Sequence, residues 1–157
     1  MGVVTRESDE CTQPNTGRVR WGGMESCAHV FVHLVWSTHS RRPILVGALR
    51  QKAHSLIVHN AHKLHCPVVA VGGTEDHVHL AVCLHPSVAV ARLAQAVKGA
   101  TSFALRSNCS IPGERALVWQ EGYGAFSFWE RDRETVERYV LSQLDRHATS
   151  ATIASWE

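Results

Sequence analysis

Residues 29–36 read HVFVHLVW and alternate with a period of two, which is typical of a β-strand with two distinct faces. One face carries Val30, Val32, Leu34 and Trp36, and the other carries His29, Phe31, His33 and Val35. A second alternating run, DHVHLAVCL, occupies residues 76–84 and follows the short segment 66–71, which ends at Gly72-Gly73. Two such runs joined by a glycine-containing turn predict a hairpin. The sequence therefore predicts the centre of an antiparallel sheet.

Helical patterns separate these strands. Apolar residues at three- and four-residue spacing predict a first helix over about 46–64, and a second helix starts near Pro86 and ends near Arg106. Strands are predicted at 117–120 and 125–129, and a last helix capped by Asp132 has the apolar stripe Val136, Val140 and Leu144. This order predicts an α+β fold: a ferredoxin-like antiparallel sheet (split βαβ) with helices on one face and an additional C-terminal helix.

The chain length of 157 residues suits one compact domain. We expect a flexible N-terminal extension over residues 1–27, a domain over 28–148 and a short tail over 149–157. The formal net charge is +2, which lacks the large positive excess of a nonspecific duplex-binding protein. Eleven histidines instead favour metal or phosphate chemistry.

The five cysteines are odd in number and contain no CxxC pair, so they fit neither a disulfide framework nor a zinc knuckle. The N-terminus lacks an apolar leader, and no stretch approaches the roughly 20 apolar residues of a membrane span. We therefore expect a cytoplasmic protein without membrane association.

His77 and His79 lie two residues apart in the second alternating run, so both imidazoles project from one face of the strand. Such a pair can direct two ring nitrogens at one divalent ion if a third ligand comes from elsewhere. An alternative interpretation is that both are polar residues on the solvent side of a half-buried strand. The pair alone does not decide between the two.

Tyr139 and Gln143 are four residues apart in the last predicted helix and therefore share one face, offset from the apolar stripe. A phenol has an ordinary pKa of about 10, so it becomes a useful nucleophile only beside a cation or toward a metal-bound electrophile. Alternatively, Tyr139 borders the buried stripe with its hydroxyl in water.

Together, these residues resemble the HUH-type single-tyrosine transposases of the IS200 group and their relatives associated with repetitive extragenic palindromes. The resemblance spans residues 29 to 147 in matching order and spacing. Its segments are HLVW at 33–36, RRPIL at 41–45, DHVHL at 76–80, VKG at 97–99, WQEGY at 119–123 and YVLSQ at 139–143. The sequence departs from the family pattern at Gly124, where a second aromatic residue is common, and at Arg146-His147, where a histidine pair is familiar.

The resemblance implies that His77, His79 and Gln143 bind Mg²⁺ or Mn²⁺ and that Tyr139 attacks a phosphodiester of single-stranded DNA. The implied product is a 5′-phosphotyrosine with a free 3′ hydroxyl, so strands can be rejoined without ATP. Tyr123 is the next candidate nucleophile.

The resemblance also implies a homodimer that recognises DNA hairpins with adjacent single-stranded sequences, acting at the bacterial nucleoid. Arg41, Arg42 and Lys98 lie in segments that could contact phosphates, although ordinary solvated charge is an equally good interpretation of the three.

Two other functions share part of this pattern. A histidine-triad nucleotide hydrolase also alternates histidines along a strand, but Ala81 stands where its third histidine belongs. A domesticated protein that binds DNA hairpins without cleaving them would keep the same fold and metal ligands. Retention of Tyr139, Gln143 and the histidine pair favours the cleaving enzyme.

Overall fold

The computed structural model of the protein describes residues 18–21, 24–107 and 117–143. Its strands are β1 (Arg18–Trp21), β2 (Met24–Cys27), β3 (Val30–Ser37), β4 (Val68–Gly73), β5 (His77–Leu84) and β6 (Gly124–Phe128). Its α-helices are α1 (Gly47–His62), α2 (Val90–Ser107) and α3 (Arg133–Leu141). Short 3₁₀ turns at His39–Arg41 and Glu130–Asp132 follow β3 and precede α3.

Strands β3 to β6 form one antiparallel sheet in the order β4-β5-β3-β6. The central pair β3 and β5 is in continuous register from Val30↔Leu84 to Ser37↔His77. Strand β6 pairs with the other side of β3, from Phe31↔Phe128 to Val35↔Gly124. The predicted α+β ferredoxin-like sheet is confirmed, and so is the alternation that places odd and even residues of β3 on opposite faces.

Helices α1 and α2 cover the face that carries the even-numbered residues of β3 and β5. Four buried residues of α2 recur every four positions, Leu93, Val97, Thr101 and Leu105, and Ala94 is buried beside the first of them. The Thr101 hydroxyl donates to the Val97 carbonyl at 2.6 Å, so this polar side chain is satisfied within its own helix. The main hydrophobic core therefore lies between this face and the two long helices.

Helix α3 covers the opposite face. Val136, Tyr139 and Val140 pack on a small second core that includes Phe31, Ala70 and Ala81. This nine-residue helix is the additional C-terminal helix that the sequence predicts. Its position matters for function because the odd-numbered residues of β5, which include the histidine pair, point toward it.

The prediction of a strand at 117–120 is wrong, since this segment makes a single isolated bridge, Thr38↔Trp119. The reason is that β3 ends at Ser37 and enters a 3₁₀ turn, which leaves no extended partner for a ladder. Asp132 precedes α3 as predicted but makes no side-chain capping bond, because the 3₁₀ turn occupies that position. Leu144, the third member of the expected stripe, lies outside the described residues.

Residues 1–27 are predicted to form a flexible extension, and part of this segment forms two paired strands. Strands β1 and β2 pair from Arg18↔Cys27 to Trp21↔Met24. The signal for them is Gly22-Gly23, a dipeptide typical of two-residue hairpin loops. The domain boundary at residue 28 stays a prediction, and the tail at 149–157 lies outside the described residues.

Two of the cysteines, Cys66 and Cys83, are buried, and burial raises the pKa of the Cys66 thiol. In the part of the chain that the structure describes, no helix combines the length and the apolar character needed to span a bilayer.

His54 is a buried polar residue of α1, with a side chain that is 1% exposed. Neither ring nitrogen has a hydrogen-bond partner among the described residues. Burial, together with the positive charge of Arg50, lowers the pKa of His54 to about 4. The imidazole is therefore neutral in the folded protein at pH 7, and protonating it opposes folding.

We predict that His54→Leu reduces the acid sensitivity of folding. The folded pKa lies below the unfolded value of about 6.5, so the wild type loses stability as the pH falls from about 6.5 through about 4. The contribution of His54 over this range is roughly 3 kcal/mol. Chemical denaturation at pH 7.5, 6, 5 and 4 measures the slope. Ser55→Leu, on the exposed side of the same helix, should keep the wild-type slope, and an unchanged slope in His54→Leu would contradict the prediction.

Candidate active site

The histidine pair lies on β5 under helix α3. His77 and His79 are 2% and 0% exposed, so the interpretation that both face solvent is wrong. They occupy the strand between β3 and β4, where His79 pairs with Val35 on one side and Gly72 on the other. Their ring centroids are 5.0 Å apart. The two imidazoles are therefore neighbours in a buried site, as the two-residue spacing predicts.

Each of these imidazoles is held through its Nδ1 atom. His77 Nδ1 lies 2.7 Å from Asp76 Oδ1 and 2.9 Å from Thr74 Oγ1, and the Thr74 hydroxyl also donates to Asp76 Oδ1 at 2.8 Å. Partial burial would raise the pKa of Asp76, but the hydrogen bonds from His77 and Thr74 and the charge of Arg41 outweigh it and lower that pKa. An ionised carboxylate on Nδ1 fixes the ring and favours Nε2 as the ligand nitrogen.

His79 is held by His33 in the same manner. His33 Nε2 lies 2.9 Å from His79 Nδ1, and the two rings are stacked with centroids 5.1 Å apart. Burial lowers the pKa of His33 to about 4, so its ring is neutral at pH 7 and one ring nitrogen can accept a hydrogen bond. A ligand bond at His79 Nε2 requires the proton on Nδ1, and His33 Nε2 is placed to accept it.

Tyr139 of α3 packs edge-on against both of these rings. Its ring centroid lies 5.6 Å from that of His79 and 6.0 Å from that of His33. The side chain is 3% exposed, so the interpretation that its hydroxyl lies in water is wrong. One chain therefore brings the tyrosine and the histidine pair together.

Gln143 lies one helical turn beyond Tyr139 and is 1% exposed. Its Nε2 donates to the Tyr139 carbonyl at 3.0 Å, whereas its Oε1 has no hydrogen-bond partner among the described residues. A buried amide oxygen of this kind costs free energy unless a ligand uses it.

The donor set fits a divalent ion. Two imidazoles with engaged Nδ1 atoms and one amide oxygen are ligands that Mg²⁺ or Mn²⁺ accepts, with substrate or water completing the shell. Within the described ranges, no group of three or more His, Cys, Asp or Glu side chains is arranged to hold a metal. Among the described residues, a third protein ligand would therefore have to be of another type, and the role of Gln143 as that ligand stays a prediction.

The backbone of α3 lies directly against β4. A Cβ atom at Gly72 would collide with the carbonyl oxygen of Val140, so only glycine permits this approach. Gly72 pairs with His79 across the β4–β5 ladder. The same contact therefore positions Tyr139 over the histidine.

The basic loop after β3 brings one of its two arginines to the site. Arg41 Nε lies 3.6 Å from Asp76 Oδ2, while its side chain remains 61% exposed. Ser40 and Arg41 both have positive φ, and the Thr38 hydroxyl braces the loop by donating to the Arg42 carbonyl at 2.7 Å. Arg42 itself is exposed. Both arginines are accessible to phosphates, and their contact with DNA stays a prediction.

Lys98 holds the loop between Trp119 and β6. Its ammonium donates to the Gln120 carbonyl at 2.9 Å and also to the Gly122 carbonyl. Burial lowers the pKa of Lys98, and the nearby charge of Glu121 partly opposes that shift. A phosphate contact for Lys98 stays a prediction, and the structure shows the lysine bound to backbone.

A cleft of about 290 Å³ opens beside the histidine pair. It is lined by Val35, Trp36, Ser37, Arg41, His77, Gln120, Glu121, Gly122, Tyr123, Gly124 and Phe126. Of the histidine pair, Tyr139 and Gln143, only His77 lines the cleft.

Roles for Asp76, Thr74 and His33 were not predicted, although the strand alternation does place His33 on the face of β3 that also carries Phe31.

Comparison with known proteins gives a consistent family and fold. A family model described as "Transposase IS200 like" matches residues 26–143. The ISDra2 transposase TnpA of Deinococcus radiodurans is 26% identical over 119 residues, covering 73% of this chain and 84% of that protein. A crystal structure of a candidate transposase from Deinococcus radiodurans R1 superposes with a TM-score of 0.61 at 22% identity, covering 77% of this chain and 95% of the other. A REP-associated tyrosine transposase bound to a REP hairpin gives 0.59 at 13% identity, covering 82% and 74%.

We predict that Gly72→Ala displaces α3 while the rest of the sheet stays folded. The added methyl group meets backbone, which cannot rotate away, so we expect a loss of about 1–3 kcal/mol. Hydrogen exchange measured by mass spectrometry should show lost protection in residues 133–141. Gly99→Ala is the matched control, because nothing lies within 4 Å of its Cβ position and an exposed helical site gains up to about 1 kcal/mol. Retained protection in Gly72→Ala would show that the contact does not position the helix.

Proposed function

Since the chain belongs to the IS200-like transposase family, we propose that it cuts and rejoins single-stranded DNA with Tyr139 as the nucleophile. The observation that supports this most directly is the packing of Tyr139 against His79 within one chain, with Gln143 one turn beyond. These are the groups that the chemistry needs in one place. Transposition is the activity that the family and its curated relative share.

In the proposed reaction, the phenolic oxygen of Tyr139 attacks the phosphorus of a DNA phosphodiester. The Oη–P bond forms and the bond from phosphorus to the 3′ oxygen breaks, which leaves a 5′-phosphotyrosine. The phenol gives up a proton and the departing 3′ oxygen gains one, so no net proton is consumed. Attack by a 3′ hydroxyl reverses these bond changes and rejoins a strand.

His77, His79 and Gln143 would hold Mg²⁺ or Mn²⁺ in this proposal. The ion, when bound, supplies Lewis-acid polarisation of the phosphate. Asp76 fixes His77, and His33 fixes His79. Because both partners engage Nδ1, Nε2 is the nitrogen of each ring that would bind the ion.

We propose single-stranded or hairpin DNA as the substrate, and the hairpin named for the REP-associated relative supports this choice. Arg41 and Arg42 are exposed cations beside the site and would contact phosphates. Homodimerisation and action at the nucleoid belong to the same proposal. Within the proposed dimer, Tyr139 could serve the histidine pair of its own chain, against which it packs, or that of the partner chain.

We predict that Tyr139→Phe abolishes covalent attachment and leaves DNA affinity within about twofold, because the ring still packs on His79 and only the attacking oxygen is removed. Purified protein is incubated with Mn²⁺ and labelled hairpins that carry single-stranded flanks, taken from DNA bordering the gene. Denaturing gels detect the adduct, and Tyr123→Phe is the control that should still form it. Hairpin binding by the wild type without any adduct would instead favour the non-cleaving DNA-binding protein.

We predict that His33→Phe weakens Mn²⁺ binding by about 10- to 100-fold, because His79 loses the acceptor that fixes its ring. Electron paramagnetic resonance of free Mn²⁺ measures the affinity without DNA or turnover. His33→Gln keeps an acceptor and should recover part of the affinity. His29→Phe, just before the same strand and exposed, should bind as the wild type does. Wild-type affinity in a folded His33→Phe protein would exclude this role.

A further inference from the structure

The cleft beside His77 has an aromatic lining that the proposed chemistry does not use. Tyr123 is 40% exposed and Phe126 is 38% exposed, so each offers part of a ring face to solvent. Trp36 lies behind them and is buried. The two partly exposed rings line the same cleft and give it an apolar surface that a ligand can contact.

Phe126 owes its position to a neighbouring glycine. A Cβ atom at Gly124 would lie 3.3 Å from Phe126 Cε2, so the ring folds back over the position where residue 124 has no side chain. The same ring lies 6.2 Å from His33, which holds His79. The Phe126 ring therefore lies between Gly124 and His33, at the edge of the candidate site.

The wall of the cleft is built as a fixed structure. Gln120 N–H donates to the Ser37 carbonyl at 2.9 Å, and Gln120 Oε1 accepts from the Ser40 N–H at 3.2 Å. Lys98 clamps the carbonyls of Gln120 and Gly122 from α2. A loop tied to β3, to the basic turn and to a helix presents Tyr123 in one place.

The chemistry of the lining selects an unpaired nucleobase. Bases stack on aromatic faces with little dependence on sequence, and single-stranded DNA binders combine such faces with nearby cations. Arg41 provides the cation on the cleft wall, and His77 connects the cleft to the site proposed for the phosphate. The volume of about 290 Å³ suits one nucleotide and excludes a duplex.

We infer that the cleft formed by Tyr123, Phe126 and the Lys98-clamped loop binds one unpaired base of the DNA strand next to the phosphate that is cut. The inference rests on the proposed function for the identity of the substrate. It adds that bases as well as phosphates contribute to affinity. It also assigns Lys98 to the architecture of the base site.

The test compares two strands that have the same phosphates. A labelled 12-nucleotide thymidine strand and a 12-unit abasic strand are titrated with wild type and with Tyr123→Ala/Phe126→Ala in EDTA, using fluorescence anisotropy. Stacking contributes about 1–3 kcal/mol per base, which is roughly 5- to 150-fold in affinity. The wild type should prefer the thymidine strand by at least about fivefold. The double variant should lose that preference while binding the abasic strand unchanged, which also shows that it is folded.

Phe103→Ala is the matched control, because Phe103 is 75% exposed on α2 and does not line the cleft. It should keep the full preference. Equal binding of both strands by the wild type, no binding of either strand, or an intact preference in the double variant would each overturn the inference. Tyr139→Phe should keep the preference and lose the adduct. If the wild type itself formed no adduct but kept the base preference, the cleavage mechanism would be refuted and the base site would stand.

Discussion

The close approach of helix α3 to strand β4 at Gly72 is the constraint on which the candidate site depends. The helix has nine residues and is the described element that covers this face of the sheet. A side chain at position 72 would meet the Val140 backbone and hold the helix away. Because Gly72 pairs with His79, the distance between helix and sheet also sets the distance between Tyr139 and the histidines. The contact at Gly72 therefore sets both the packing of α3 on the sheet and the position of Tyr139 relative to the histidines.

The face beneath α3 is unusual because it buries three imidazoles instead of aliphatic side chains. Buried polar groups are tolerated when they are hydrogen-bonded, and here His77 bonds to Asp76 while His33 bonds to His79. His54 on the other side of the sheet lacks such partners among the described residues and is a cost to stability that no feature of the site explains. The contrast separates three imidazoles that are hydrogen-bonded in the candidate site from one that is merely enclosed.

The fold could be predicted because its signals are local. Strands β3 and β5 alternate, α2 repeats at four-residue spacing, and glycines mark the turns, so order and type follow from the chain itself. The histidine pair and Tyr139 were also identifiable by spacing and resemblance. The His33–His79 contact was not, because it requires the register of two strands 46 residues apart. The Lys98 clamp was missed for a related reason, since its partners are backbone carbonyls that any loop sequence provides.

Burial of the nucleophile constrains how a substrate can reach it. Tyr139 is 3% exposed, so a phosphate cannot contact its hydroxyl from solvent in the arrangement described. The cleft reaches His77 but is not lined by Tyr139 or Gln143. If the proposed chemistry holds, binding of DNA must therefore shift α3 relative to the sheet.

Helix α3 is short and packs on the smaller of the two cores, whereas α1 and α2 share the larger one. Moving α3 therefore exposes less apolar surface than moving either of the other helices. Gly72 permits close packing of α3 on β4, and it also allows the two elements to separate, because it has no side chain that interlocks with the helix.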